Sequence, residues 1–400
     1  MLEQLVEMGN NAPRVFVYST GAGAGIQEKI WRTLGCSNFL IGCGFPYAGS
    51  QTSKYIGYTP ERFVNGDVAM ELAMAAYIEA YEPGRKTIGV GLSCSVASLE
   101  AHKGAHRIIA SSFSDNECLT FAAEIPKGYG LGQRVTDGNL ADEIGVATIL
   151  KAAGLWSENQ MIASSIHPEA NMEIIPPLSE GDIKPTSYFM RYSPVNTADR
   201  AKELILSRSL FSANGSRMSE SKVDDSKVIH YPGSFNPLHF GHIDGSEAIR
   251  QTAAKRFGEC RDIVFDTVAN PPHKAAPTAA QLLDKIAMMR GRNFCLTSND
   301  PLFIDKARKH PGAWFGLGAD MLITMLDPKW GVDPIELLAE LQKLNVKIFV
   351  LGRCVKGEFI TLEDIVVSNK VMLMPYLDTL LISVPGRWDI SSTEIRARSN

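Results

Sequence analysis

The chain has no Cys-x-x-Cys pair, no block of basic residues and no long uncharged apolar run. Its seven cysteines (Cys36, Cys43, Cys94, Cys118, Cys260, Cys295 and Cys354) are scattered and odd in number. That pattern argues against both a disulfide framework and a zinc site, and it predicts reduced thiols in a cytoplasmic setting. No apolar stretch approaches the ~18 residues a bilayer span requires, so no membrane partner is expected. The first residues, Met1-Leu-Glu-Gln-Leu-Val-Glu7, carry acids where a secretory signal needs bases. A net charge of −4 gives no general attraction to nucleic acid, so any phosphate recognition must be local. Internal repeats are absent as well. What remains is an ordinary globular composition, 45% apolar and 21% charged, in 400 residues. That length exceeds one ordinary core and predicts two or three domains.

Strand-like and helix-like segments alternate from Arg14 to Ala153. The alternation lapses after Trp156 and resumes at Lys227. Such alternation predicts α/β layers in both halves. The Ser-, Asp- and Lys-rich stretch Ser207–Ser226 reads as a solvated linker. The expected organisation is therefore a first domain over 1–160, an irregular connection and polar linker over 161–226, and a second domain over 227–400.

The most informative segment is Gly233-Ser-Phe-Asn-Pro-Leu-His-Phe-Gly-His242. It joins a short apolar strand to a helical pattern, so it reads as a tight turn opening a helix. A helix N-terminus carries unpaired N–H groups and partial positive charge, and it favours anions. His239 and His242 add two imidazoles there. Together they suit a polyphosphate whose charge shifts during reaction. Gly233 and Gly241 are read as allowing close backbone approach to such a ligand. Ile390-Ser-Ser-Thr-Glu-Ile-Arg396 has a related logic. Ser391, Ser392 or Thr393 can cap a short helix, and Arg396 offers a forked donor to the same anion.

This set of motifs resembles the HxGH nucleotidyltransferases, and within them the nicotinate/nicotinamide mononucleotide adenylyltransferases. Asn270-Pro-Pro-His-Lys274 is similar to that family's substrate loop, and Gly316-Leu-Gly-Ala-Asp320 to its second nucleotide-binding turn. The resemblance spans roughly 226–400 and implies a Rossmann-like parallel sheet. It implies catalytic roles for His239, His242 and Arg396. It implies ATP binding by Gly233, Ser234, Phe235, Gly241, Gly318, Asp320, Ser391, Ser392 and Thr393. It implies mononucleotide binding by Asn236, His273, Lys274 and Trp330. The implied reaction joins ATP and a pyridine mononucleotide, with Mg2+ accompanying ATP, and no metal-ligating residue is assigned. A homo-oligomer is left open, as is the choice between amide and acid substrates.

The first half carries looser motifs: Ser19-Thr-Gly-Ala-Gly23, Leu34-Gly-Cys-Ser37, Pro46-Tyr-Ala-Gly-Ser50, Tyr55-Ile-Gly57 and Gly89-Val-Gly-Leu-Ser-Cys94. They resemble the C-terminal domain of the competence-damage-inducible (CinA) family, whose catalytic members deamidate nicotinamide mononucleotide. Ser19 or Thr20 falls at the nucleophile position, with Tyr47 nearby. The family's lysine aligns with Thr52, leaving Lys54 two residues on, and its threonine aligns with Gly91. A serine nucleophile needs a base and an oxyanion site. The expectation is a degenerate module in which Ser19 and Thr20 cap a helix and the glycine turn is left as a phosphate cradle. The alternatives are an active amidohydrolase, which would make the chain bifunctional, and a non-catalytic assembly or nucleotide-sensing module.

Overall fold

A computed structural model describes residues 1–100, 103–115, 117–125, 127–157, 160, 189–193, 197–207, 210–213, 215–218, 223–271, 275–330, 333–355, 357–388, 392 and 395. The chain divides into two compact units. The first comprises Met1–Arg208, Gly215–Met218 and Thr278–Ala287, and the second comprises the rest. Both are α/β, as the alternation predicts. Among the described residues no helix is long and apolar enough to cross a membrane.

In the first unit a six-stranded sheet runs in the order β2-β1-β3-β4-β5-β6. Its strands are β1 (Arg14–Thr20), β2 (Leu40–Gly44), β3 (Thr87–Ser95), β4 (His106–Ser114), β5 (Cys118–Ile125) and β6 (Phe189–Ser193). The first three are parallel, and β3 through β6 pair antiparallel. The helix Gly66–Ala80 is capped by Asn65, whose side chain accepts the Val68 N–H at 2.8 Å. It lies directly on β3. A Cβ added at Gly89 would run into the carbonyl oxygen of Ala73, and one at Gly91 into that of Ala69. Glycine in β3 is thus a packing requirement of the helix above it.

The stretch read from composition as a polar linker contains ordered, buried residues. Leu210–Phe211 form β7 and Arg217–Met218 form β8. Arg217 is buried and pairs with buried Glu71 at 2.9 Å. Composition counts Arg217 as a solvated charge; only the fold reveals the carboxylate that lets it be buried.

The second unit's sheet runs β16-β13-β12-β9-β10-β11-β7. Its strands are β9 (Val228–Pro232), β10 (Asp262–Val268), β11 (Phe294–Ser298), β12 (Trp314–Gly318), β13 (Lys347–Leu351) and β16 (Leu381–Val384), with β14 (Arg353–Val355) and β15 (Glu358–Ile360) forming a separate hairpin. All pairings are parallel except that of β7 with β11. Counted within this unit from β9, the parallel strands lie in the doubly wound order. The order reverses between β9 and β12. Ligands of open α/β sheets bind outside the carboxyl ends of the strands at such a switch point. Gly233 follows β9 and Gly318 ends β12, so the topology brings the two glycine turns to that one edge.

Candidate active site

The turn after β9 is anchored from below. The Gly233 N–H donates to the Asp266 carbonyl at 2.9 Å. The Asp266 carboxylate accepts from the Ser298 hydroxyl at 2.8 Å and pairs with Lys306 at 2.6 Å, and Lys306 also contacts Ser298. All three side chains are buried. Phe235 adopts a φ of 45°, in the left-handed region a bulky residue rarely enters. Its buried ring holds it there, packed edge-on against Phe265 at 5.0 Å, Tyr231 at 5.8 Å and His242 at 5.1 Å. That ring folds back over Gly233, where a Cβ would stand 2.6 Å from Phe235 Cζ. The ring is a sufficient reason for glycine at 233, before any ligand is considered. Ser234 and Asn236 face outward, and Gly241 is buried in the first helical turn.

His239 is the N-cap of the helix Phe240–Phe257, and His242 lies one turn in. Their rings stack with centroids 3.7 Å apart. His242 Nδ1 accepts the backbone N–H of His239 at 3.3 Å. This fixes the tautomer: in the neutral ring the proton sits on Nε2, which is left as a donor. Burial, then the neighbouring His239, then Arg353 push the His242 imidazole down to about 3. Burial and Arg353 lower His239 as well. Both rings are therefore neutral at neutral pH. The His239 Nδ1 atom is buried without a hydrogen-bond partner.

Gly318 is the N-cap of the helix Ala319–Met325, with Asp320 in its first turn. Arg353 follows β13 and donates to the Tyr231 hydroxyl at 3.2 Å. A Cβ at Gly318 would meet Arg353 Cγ at 2.9 Å and would run into Asp320 Oδ1. The Arg353 stem and the Asp320 carboxylate thus flank Gly318, while the guanidinium reaches Tyr231 on the strand that leads to His239. The motif reading did not include Arg353. Its signal was an arginine one residue past a strand-ending glycine, Gly352 holding after β13 the place Gly233 holds after β9.

From the closing motif, Ser392 donates to the Pro237 carbonyl at 3.0 Å, which joins that motif to the histidine turn. His273, Lys274, Ser391, Thr393 and Arg396 lie outside the described residues, as does the Trp330 side chain at the end of the 3-10 turn Pro328–Trp330.

In the first unit, Ser19 and Thr20 are buried on β1 rather than at a helix start. Ser19 donates to the Gly23 carbonyl at 3.4 Å. Thr20 and Thr52 lie 3.3 Å apart, and both donate to the Pro46 carbonyl, at 3.1 and 2.8 Å. These partners are backbone acceptors, not bases. Lys54 and Tyr47 are exposed, and the Tyr47 hydroxyl accepts from Arg134 at 3.3 Å. Ahead of the helix Gly25–Trp31, Gly21 and Gly23 take positive φ. The Gly25 and Ile26 N–H groups meet the Asp142 carboxylate, which burial pushes up to about 6. The chain's own acid therefore occupies the place a phosphate would take. A short strand–glycine–helix motif does not show which side chain will arrive there from the helix Gly130–Ala152.

Residues 230–398 match the family described as Cytidylyltransferase-like, so the second half of the chain contains a nucleotidyltransferase-like domain. A relative from Clostridium botulinum (strain Loch Maree / Type A3), named "Probable nicotinate-nucleotide adenylyltransferase", is 26% identical over 182 residues, 42% of this chain and 83% of its own. A protein of the same name from Caldicellulosiruptor bescii is 24% identical over 192 residues, 42% of this chain and 85% of its own. A solved competence-damaged protein (CinA) superfamily member from Escherichia coli covers 38% of this chain and 90% of its own at 13% identity, with a TM-score of 0.29.

Proposed function

We propose that residues 227–400 transfer the adenylyl group of ATP to nicotinate or nicotinamide mononucleotide, giving the dinucleotide and pyrophosphate. The observation that carries this reading is the meeting of the His239–His242 turn and the Gly318 turn at one switch point, with Arg353 beside both. In the reaction a phosphate oxygen of the mononucleotide attacks the α-phosphorus of ATP. The new O–P bond forms as the bond to the β-phosphate bridging oxygen breaks, and that electron pair leaves with pyrophosphate. Such a transfer asks the protein for alignment and for stabilisation of phosphate charge.

The His242 Nε2–H is a fixed donor toward developing negative charge. His239 and Arg353 add a second imidazole and a permanent cation. Two stacked neutral rings accept an anion without first releasing a proton, and polyphosphate next to them would raise their basicity as it arrives. Mg2+ brought by ATP would neutralise β- and γ-phosphate charge. The edge offers Asp320 among cationic and N–H groups, a set that fits an ion held mainly by phosphate and water. Arg396, Ser391 and Thr393 of the closing motif, with His273, Lys274 and Trp330, complete the proposed substrate contacts.

For the first unit we propose a binding or assembly role rather than deamidation. Ser19 and Thr20 spend their protons on backbone carbonyls, and Gly91 has no room for the threonine a deamidase would place there. The test is the full chain with ATP, Mg2+ and each mononucleotide in turn, assayed for dinucleotide and for ammonia. Dinucleotide without ammonia is the expected result. Ammonia release that disappears in a Ser19→Ala/Thr20→Ala variant would restore the bifunctional reading.

A further inference from the structure

At the amino-terminal side of the second unit's sheet, away from the glycine turns, three ionisable side chains converge. Asp225 lies three residues before β9, His230 is the third residue of β9, and His310 follows the helix Phe303–Lys309. Asp225 Oδ1 is 2.9 Å from His230 Nε2, and Oδ2 is 3.0 Å from His310 Nδ1. The two rings are tilted against each other with centroids 4.6 Å apart. One ligand atom from each residue can be chosen so that all three lie within 4.8 Å of one another. His230 is fully buried under Phe315, whose ring lies 5.4 Å away.

We propose that Asp225, His230 and His310 form a binding site for one divalent transition-metal ion of the zinc class. Two imidazole nitrogens and a carboxylate oxygen are a ligand set zinc uses, with bonds of ~2.0–2.2 Å in tetrahedral array. Such an array places neighbouring ligand atoms ~3.3 Å apart, so the most separated pair would close by at most about 1.5 Å from the 4.8 Å that bounds the cluster. Nitrogen donors select against Mg2+ and Ca2+, which take oxygen. Without an ion the Asp225 carboxylate, which only accepts, holds a proton on His230 Nε2; an ion would displace that proton to the Nδ1 atom, which has no hydrogen-bond partner. His310 presents Nδ1 inward. Asp225 is about a third exposed and His310 is 13% exposed, which leaves an open side for ion entry and for water as the fourth ligand. Arg261 holds the Asp225 carbonyl at 3.1 Å and stacks over Trp314 with its guanidinium carbon 3.5 Å from the ring centroid. The segment carrying the carboxylate is therefore placed independently of any ion.

The role is a structural clasp. It would tie the chain entering β9 to the connection entering β12, the two strands whose far ends carry the glycine turns. The proposal does not rest on the transferase reading, because the cluster is at the opposite end of those strands.

The test uses the untagged full chain, stripped with chelator, reloaded with Zn2+ and dialysed, and then titrated with Co2+. About one Zn2+ per chain is expected. Co2+ should give the strong visible absorption of a tetrahedral site, bleached by Zn2+. His310→Gln and Asp225→Asn should each weaken Co2+ binding by more than the ~10–100-fold that loss of an outer-shell partner costs. Folded wild-type protein that retains under about a tenth of a zinc per chain would overturn the proposal. So would Co2+ binding left unchanged by both substitutions, which would place the ion elsewhere, for instance at His239 and His242. The wild-type stoichiometry needs no variant, so a variant that misfolds does not shield the proposal.

Discussion

His242 Nδ1 accepts the backbone N–H of His239, and the two rings stack at 3.7 Å. One hydrogen bond thus closes the start of the helix and aims the His242 Nε2–H outward. Replacing His242 with alanine should leave the fold intact and lower kcat by at least ~10²-fold, the scale of losing one preorganised donor to transition-state charge. Steady-state turnover with saturating ATP and mononucleotide measures it. Near-normal turnover would remove the role.

The same burial predicts a pH dependence of stability. Folded His242 protonates at about 3, against an ordinary value of 6.5. Below 6.5 the unfolded chain takes up the proton first, so stability from this group is fully present above that pH and is lost as pH falls toward 3. His239 acts with the same sign. In His242→Asn, the loss of stability between these limits should be shallower than in the wild type. Urea midpoints measured across that range decide it, and parallel profiles would contradict it.

Arg353 lowers the basicity of both histidines. Arg353→Ala should therefore raise both imidazole titration midpoints, as read by NMR. It should also weaken transition-state binding by about 1.5–3 kcal/mol, the worth of hydrogen bonds to a charged group. Unmoved midpoints would mean that the guanidinium is not electrostatically coupled to the turn.

Gly91 separates the two readings of the first unit. Gly91→Thr would drive a Cβ into the Ala69 carbonyl. The expected outcome is destabilisation of about 1–3 kcal/mol or more, with no gain of ammonia release. Denaturant unfolding reads the first, and an ammonia assay the second. A stable variant that deamidates nicotinamide mononucleotide would show the site to be complete but for one residue.

Much of the second unit was legible because its chemistry is local in sequence. Strand, turn and helix around Gly233–His242 lie in one run, β9 followed by the helix Phe240–Phe257. What was missed is short or distant. β11 carries Thr297 and Ser298 buried beside Asp266 and Lys306, so its polar end hid a core strand. β5 alternates half-buried and buried residues in Cys118–Ile125, too weakly apolar to stand out. Arg353 lies 122 residues from the tyrosine it bonds, and His310 lies 85 from Asp225. No spacing rule reaches that far. Gly91 was noticed as a departure, but its cause, a helix backbone resting on β3, exists only in the folded chain.

Adenylyl transfer by the second unit, as proposed, can be followed atom by atom. The direct measurement is label transfer by the full chain from ATP carrying phosphorus-32 at either the α or the γ position, with nicotinate or nicotinamide mononucleotide and Mg2+. The expected result is α-label in the dinucleotide and γ-label in pyrophosphate, both falling by at least ~10²-fold in His242→Ala. Label from the γ position appearing on the mononucleotide, or no transfer by the folded wild-type chain to either mononucleotide, would contradict it.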